Sequence, residues 1–235
     1  MRLSACQWLA CLICLALPAA APAQDYLPLG PGSYWHYAGE AGDAFSRTVT
    51  GTIEMAGQAV SVVATSGYDP DDGLEQYYTA GEGGDVLLWG FYRNLEDWGL
   101  LYVPPLRIVD APLSLGQRWS VVADCFEIPG NHPAGTLVGE RVVQSEGLES
   151  VPAGEFFARA IAWDLRGEPL RALASHGCDP SGRRLAPGRE LSPPEYWTLG
   201  VGIIREETTQ IWRLTDFDGP TPSGAQSWSA IKALY

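Results

Sequence analysis

Phe45-Ser46-Arg47-Thr48-Val49-Thr50-Gly51-Thr52-Ile53-Glu54-Met55, followed by Ala56-Gly57 and then Gln58-Ala59-Val60-Ser61-Val62-Val63-Ala64, is the stretch on which the fold turns. Its odd positions from 45 to 55 hold Phe, Arg, Val, Gly, Ile and Met, while the even ones hold Ser, Thr and Glu. A period of two belongs to a pleated strand with one buried and one wet face. Ala56-Gly57 supplies a turn, so the two runs read as an antiparallel hairpin. Working outward, the same reasoning places strands at 32–38, 74–79, 86–92, 118–123, 137–144, 156–165, 195–198, 202–206 and 210–217. Helical signals are confined to 169–176, with an early proline and a following glycine, and to 225–234. The expected fold class is all-β and mainly antiparallel, with few short helices.

The order of motifs recurs along the chain. Leu27-Pro28-Leu29 with Gly32-Ser33-Tyr34-Trp35 returns as Pro112-Leu113-Ser114-Leu115 with Gly116-Gln117-Arg118-Trp119. Gly51 and the Ala56-Gly57 turn are echoed by Gly139 and Ala153-Gly154, and Glu75-Gln76-Tyr77-Tyr78-Thr79 by Glu195-Tyr196-Trp197-Thr198. Two related β-units follow from this: 24–111, ending in a crossing segment from Val103-Pro104-Pro105 to Pro112, and 112–218, carrying a Gly-, Pro- and Arg-rich insert at 167–194. A tail occupies 219–235. Units of this size bury their apolar faces as a sandwich, or join edges in a curved sheet or partial barrel.

Residues 1–23 read as a secretory signal peptide. Arg2 is the only charge before Asp25, an apolar run of about ten residues from Trp8 ends at Pro18, and Ala21-Pro22-Ala23 offers a small-x-small cleavage pattern. That run is half the length of a membrane span, and no second one follows. Cys11 and Cys14 fit a lipid-attachment pattern poorly, because Trp8-Leu9-Ala10 and the bulky Ile13 precede them. The product expected is therefore exported, periplasmic or extracellular, with a lipoprotein as the lesser alternative and no transmembrane segment. With 28 acidic against 15 basic residues and a net charge of -13, it lacks the basic face that nucleic acid requires.

Cys125 and Cys178 remain after the leader, and an even count in an exported chain reads as a disulfide. Closing that loop stabilises a fold by about 4 kcal/mol in the chain-entropy model. The alternative is a zinc set of Cys125, His132, His176 and Cys178, but ligands one residue apart and a Cys-x6-His gap are unlike the usual pairs. The export signal favours the disulfide, and neither a metal nor another cofactor is expected.

The blocks Gly-x-x-Trp, Val151-Pro152-Ala153-Gly154-Glu155-Phe156 and Tyr196-Trp197-x-x-Gly200-Val201-Gly202-x-Ile204-Arg205 together resemble uncharacterised secreted and lipoprotein domains of bacteria. The resemblance spans most of the chain after the leader, implies an exported β-rich fold, and brings no catalytic residues. The insert at 167–194 departs from the spacing of those domains.

No Gly-x-Ser-x-Gly, His-Glu-x-x-His or phosphate-loop pattern occurs. Glu75 and Glu195 sit at matching repeat positions beside aromatics, where a carboxylate pair would serve glycoside or ester hydrolysis; repeat symmetry gives the pair a simpler origin. Asp69-Pro70-Asp71-Asp72-Gly73-Leu74-Glu75 is dense in oxygen ligands, but Gly73 breaks the alternation of a calcium loop. The aromatics are the better lead. Eight tryptophans follow the leader, and a strand with successive rings, such as Tyr77-Tyr78 or Tyr196-Trp197, must present one on each face. The candidate ligand contacts are Tyr37, Tyr78, Trp89 and Tyr196. The expected function is that of a non-catalytic envelope or binding protein, for an apolar or sugar-like ligand or an envelope component, with a secreted hydrolase using Glu75 and Glu195 as the alternative.

Overall fold

A computed structural model describes residues 25–67, 71–166, 173, 175–185 and 194–218. The proposed leader, the tail at 219–235 with its expected helix, residues 167–172, 174 and 186–193 of the insert, and with them five of the eight residues of the expected helix 169–176, lie outside these residues.

Twelve strands are formed by the described residues: β1 (Tyr34–Gly39), β2 (Ala44–Met55), β3 (Gln58–Ser66), β4 (Leu74–Ala80), β5 (Val86–Arg93), β6 (Trp98–Val109), β7 (Arg118–Ile128), β8 (His132–Val151), β9 (Gly154–Arg166), β10 (Glu195–Thr198), β11 (Gly202–Glu207) and β12 (Ile211–Asp218). Each pairs antiparallel with its sequence neighbours, and β12 returns to β1, so the sheet closes into a barrel. The sandwich expectation is corrected by this closure, which leaves no strand of the described residues without a neighbour on either side. A single 3-10 turn, Glu82–Gly84, stands between β4 and β5.

Alternation sorts the side chains. In β7, Trp119, Val121, Ala123 and Cys125 are buried, while Arg118, Ser120, Val122 and Asp124 are exposed. The inner face of this strand is apolar and its outer face polar except for Val122. No helix among the described residues is long and apolar enough to cross a membrane.

The main departure from the expected strand order is β6. The segment around Val103-Pro104-Pro105 is a strand and not a crossing, and its prolines occupy a break in the ladder. Leu101 pairs with Gly90 and Leu106 with Leu88, so residues 102–105 have no partner on β5. Proline lacks the N–H that a ladder requires and is tolerated where the ladder is interrupted. The chain leaves the wall between β6 and β7 at 110–117.

Register features recur in the two halves of the barrel. Trp35 stands opposite Arg47, and Trp119 opposite Arg141. Gly32 N–H and Ser33 carbonyl bond the backbone of Val49, as Gly116 N–H and Gln117 carbonyl bond that of Val143. Bulges follow at Thr50 and Gln144, after which Val63 pairs with Gln76 and Ile161 with Glu195. The counterpart of Glu195 is thus Gln76, not Glu75. One residue of offset moves a side chain to the opposite face of a strand.

Candidate functional site

Part of the chain itself occupies the interior of the barrel. Residues 177–185, the middle of the insert, form a tight loop closed by the Cys178–Arg184 bridge, and it lies inside the wall. The Asp179 carboxylate shapes this loop by accepting the backbone N–H of Ser181 at 2.8 Å and of Arg183 at 3.1 Å. Inward side chains of the wall then grip its backbone: Gln76 Nε2 donates to the Ser181 carbonyl at 2.8 Å, Tyr102 hydroxyl to that of Pro180 at 2.6 Å, and Arg93 to that of Gly182 at 2.7 Å. Gly182, at φ +82°, passes the Phe91 ring so closely that a Cβ would sit 2.4 Å from it. Any other residue there would displace the loop or the ring.

A buried ionic network joins loop to wall. Arg47 on β2 donates two bonds to Glu206 on β11, at 2.9 and 3.0 Å. Arg141 on β8 donates to Glu195 on β10 at 2.5 Å, and the Trp197 indole N–H reaches the same oxygen at 2.9 Å. Arg183 bridges the two pairs, donating to Glu206 at 2.8 Å, to Glu195, and to Asp179 through Nε at 2.9 Å. Three guanidinium groups and three carboxylates balance. Burial alone would raise the Glu195 carboxyl, but Arg183 and Arg141 hold it down at about 2. Glu206 is likewise held below the ordinary range by Arg47 and Arg183 against the cost of burial. Carboxylates depressed in this way do not accept or release a proton near neutral pH, so the network is built for structure and not for acid–base chemistry.

The sign of the pH effect follows. A carboxyl whose folded pKa lies below its unfolded value contributes stability above the unfolded value and loses it as pH falls through the folded one. The fold is therefore expected to weaken steadily between about pH 4.5 and about 2. Urea midpoints measured by circular dichroism across that window will show it; a flat profile would contradict the network.

Tyr37 and Tyr78 face inward and line a small cavity with Leu27, Trp35, Arg47, Val63, Gln76, Trp197 and Ile203. Its volume, about 20 Å³, suits a water molecule and not an organic ligand. Arg47 Nε is buried here without a hydrogen-bond partner. Tyr37 is committed to packing: its hydroxyl donates to the Ile203 carbonyl at 2.7 Å and its ring stacks on Phe45.

Trp89 and Tyr196 stand on the outer wall, on β5 and β10, so the four candidate contacts do not converge on one site. Arg205 covers the Tyr196 ring at 4.4 Å while pairing with Glu149 and Glu207. Trp89 joins a different group. Val60, Val62 and Tyr77 form a small apolar cluster separate from the lumen core, and Met55, Trp89, Tyr92, Leu101 and Ile128 pack against it. Polar atoms rim the rings. Trp89 Nε1 donates to Thr79 Oγ1 at 3.0 Å, Tyr77 hydroxyl to Glu75 at 3.3 Å, Asn94 to the other Glu75 oxygen at 3.1 Å, and Tyr92 hydroxyl to Asp97.

Glu75 and Glu195 are not a catalytic pair. Glu75 is on the outer side of β4, whereas Glu195 is inside β10 and saturated by Arg141, Arg183 and Trp197. The expected Cys125–Cys178 disulfide is not formed: both are buried free thiols. The Cys125 sulfur, on wall strand β7, approaches the Ala123 carbonyl, and that of Cys178, in the inner loop, the His176 carbonyl. Nor do Cys125, His132, His176 and Cys178 assemble as ligands. Among the described residues no group of three or more His, Cys, Asp or Glu is placed to hold a metal; His176 stacks on Trp98 instead, with ring centres 3.8 Å apart. Asp71, from the acidic run, is engaged by Arg93 and the Arg184 N–H.

Burial pushes the Cys125 thiol up to about 11 and the Cys178 thiol up to about 12. Since the thiolate is the nucleophile, neither should react with iodoacetamide in the native protein near pH 8, and both should react once it unfolds. A mass lower by two hydrogens, with labelling of the unfolded chain only after reductant, would establish the bridge in its place.

No family model matches the chain, and no curated protein matches it in sequence. Among solved structures it is similar to an inferred exported protein with a YmcC-like fold from Bacteroides fragilis, at 11% identity and a TM-score of 0.46, over 83% of this chain and 99% of that one. It is also similar to an inferred lipoprotein from Parabacteroides distasonis, at 11% identity and a TM-score of 0.41, over 84% and 100%. These likenesses assign neither ligand nor activity.

Proposed function

We propose that this chain is an exported, non-catalytic binding protein that meets its ligand or envelope partner on the outer wall of a filled barrel. The observation that carries the reading is the loop at 177–185 inside the wall, its backbone gripped by Gln76, Arg93 and Tyr102. Export rests on the signal-peptide pattern of residues 1–23. We also propose that 24–111 and 112–218 descend from one unit, a reading supported by the Trp35/Arg47 and Trp119/Arg141 correspondence.

Co-sedimentation of the purified protein, without its leader, with bacterial cell-wall and outer-membrane fractions tests the reading. Retention should fall in Trp89→Ala/Tyr92→Ala and persist in the lumen variant Tyr78→Phe. The reverse pattern would move the site indoors. Turnover on a glycan or ester panel that disappears in Glu75→Gln would make the protein a hydrolase.

A further inference from the structure

The outer face of β3–β5 carries an apolar cluster separate from the lumen core. Val60 points away from the lumen core yet is fully buried, and Val62 and Tyr77 beside it are 9% and 8% exposed. These three form a floor already covered by neighbours. Trp89 and Tyr92, half-buried, form the accessible part, each tied by its polar end to a side chain of the rim. We propose that this face is a binding platform for a neutral saccharide, an inference that rests on the outer-wall reading above.

Three features select that chemistry. The first is the pairing of rings with acceptors. A pyranose has an apolar C–H face that lies on an aromatic ring and equatorial hydroxyls that donate at its edge. Here each Glu75 oxygen accepts one bond, from Tyr77 or from Asn94, and a carboxylate oxygen can accept a second. Asp97, exposed beside Tyr92, adds another acceptor.

The second is charge. Rim and chain are both acidic, the chain at -13, which opposes an anionic lipid surface, a nucleic acid or a polyanionic glycan. The third is area. An apolar protein partner would need a broad uncovered hydrophobic patch, and the floor of this cluster is already shielded. Beside that floor the accessible rings are Trp89 and Tyr92, edged by the acceptors Glu75 and Asp97.

Isothermal titration with maltohexaose, cellohexaose and chitohexaose is the direct test. At least one should bind, and Trp89→Ala and Tyr92→Ala should each weaken it about tenfold. Trp89→Phe should retain most of the affinity, and Tyr196→Ala, on the far wall, all of it. Near-ultraviolet circular dichroism establishes that each variant is folded.

Absence of binding by all three sugars at millimolar concentration overturns the saccharide inference, as does binding indifferent to both alanine variants. If Trp89→Ala instead abolishes association between copies of the chain, the saccharide class fails while the outer-wall reading stands. If sugar binding is lost only in Tyr78→Phe, the outer-wall reading itself fails.

Discussion

Arg183→Met should destabilise the fold by about 3–5 kcal/mol, the cost of removing one partner from a buried ionic cluster. Arg183 is 1% exposed and, among the described residues, alone touches Asp179, Glu195 and Glu206 together. Without it, three carboxylates face the two guanidinium groups of Arg47 and Arg141, and one negative charge stays buried and uncompensated. Methionine fills the volume but supplies neither charge nor donor. The double variant Arg183→Met/Asp179→Asn restores the balance, and should be less destabilised than the single change. Urea midpoints at constant slope measure both. A single-variant loss under about 1 kcal/mol, or a double variant worse than the sum of its parts, would show that the cluster does not act as a neutral unit.

The second large effect is expected at the repeated tryptophans. Trp35→Ala and Trp119→Ala should each cost about 3–5 kcal/mol, from lost burial and the cavity left behind. Trp35 is 2% exposed and its indole N–H donates to the Val201 carbonyl at 2.5 Å. Trp119 is 8% exposed and bonds the Arg107 carbonyl at 2.8 Å. Phenylalanine at either site should recover part of the packing and none of the hydrogen bond. Each tryptophan clasps a different part of the wall, β1 to the β10–β11 turn and β7 to β6, so the two losses should add. An alanine variant of either with an unchanged midpoint would place that ring outside the core that stabilises the barrel.

The two networks also explain what was readable early and what was not. Arg47 stood in the sequence at an inward position of the alternating run 45–49, between Phe45 and Val49, and a charge at such a position calls for a buried partner. The partner, Glu206, lies three strands round the wall and 159 residues away in the chain, which no local pattern encodes. Arg183 was lost in a polar-looking insert, His176-Gly177-Cys178-Asp179-Pro180-Ser181-Gly182-Arg183-Arg184, whose composition is that of a surface loop. Only its insertion among Gln76, Phe91 and Tyr102 makes it a core element.

The misplacement of Glu75 has a related cause. Aligning the halves by their acidic-aromatic-Thr strands matched Glu75 to Glu195, whereas the hydrogen-bonded register matches Gln76 to it. Short motifs tolerate a slip of one residue, but a ladder with bulges at Thr50 and Gln144 does not. A bulge also reverses the phase of β2. Beyond Thr50 the odd residue Ile53 is 40% exposed, although it continues the alternation that began inside the core at Phe45.

What the sequence by itself determined is local. Period-two alternation and glycine turns defined eleven of the twelve strands, the antiparallel order of neighbours and the burial of Trp35 and Trp119, because these depend on residues near one another in the chain. The strand it concealed was β6, where two prolines mimic a break. Closure of β1 on β12, entry of the 177–185 loop into the lumen, the meeting of Arg47, Arg141 and Arg183 with their carboxylates, and the grouping of Tyr77, Trp89 and Tyr92 outside were decided by the tertiary structure. Each joins side chains of different strands or loops through space, and pairings of that kind are fixed by packing and electrostatics after the strands exist, not by the pattern within any one of them.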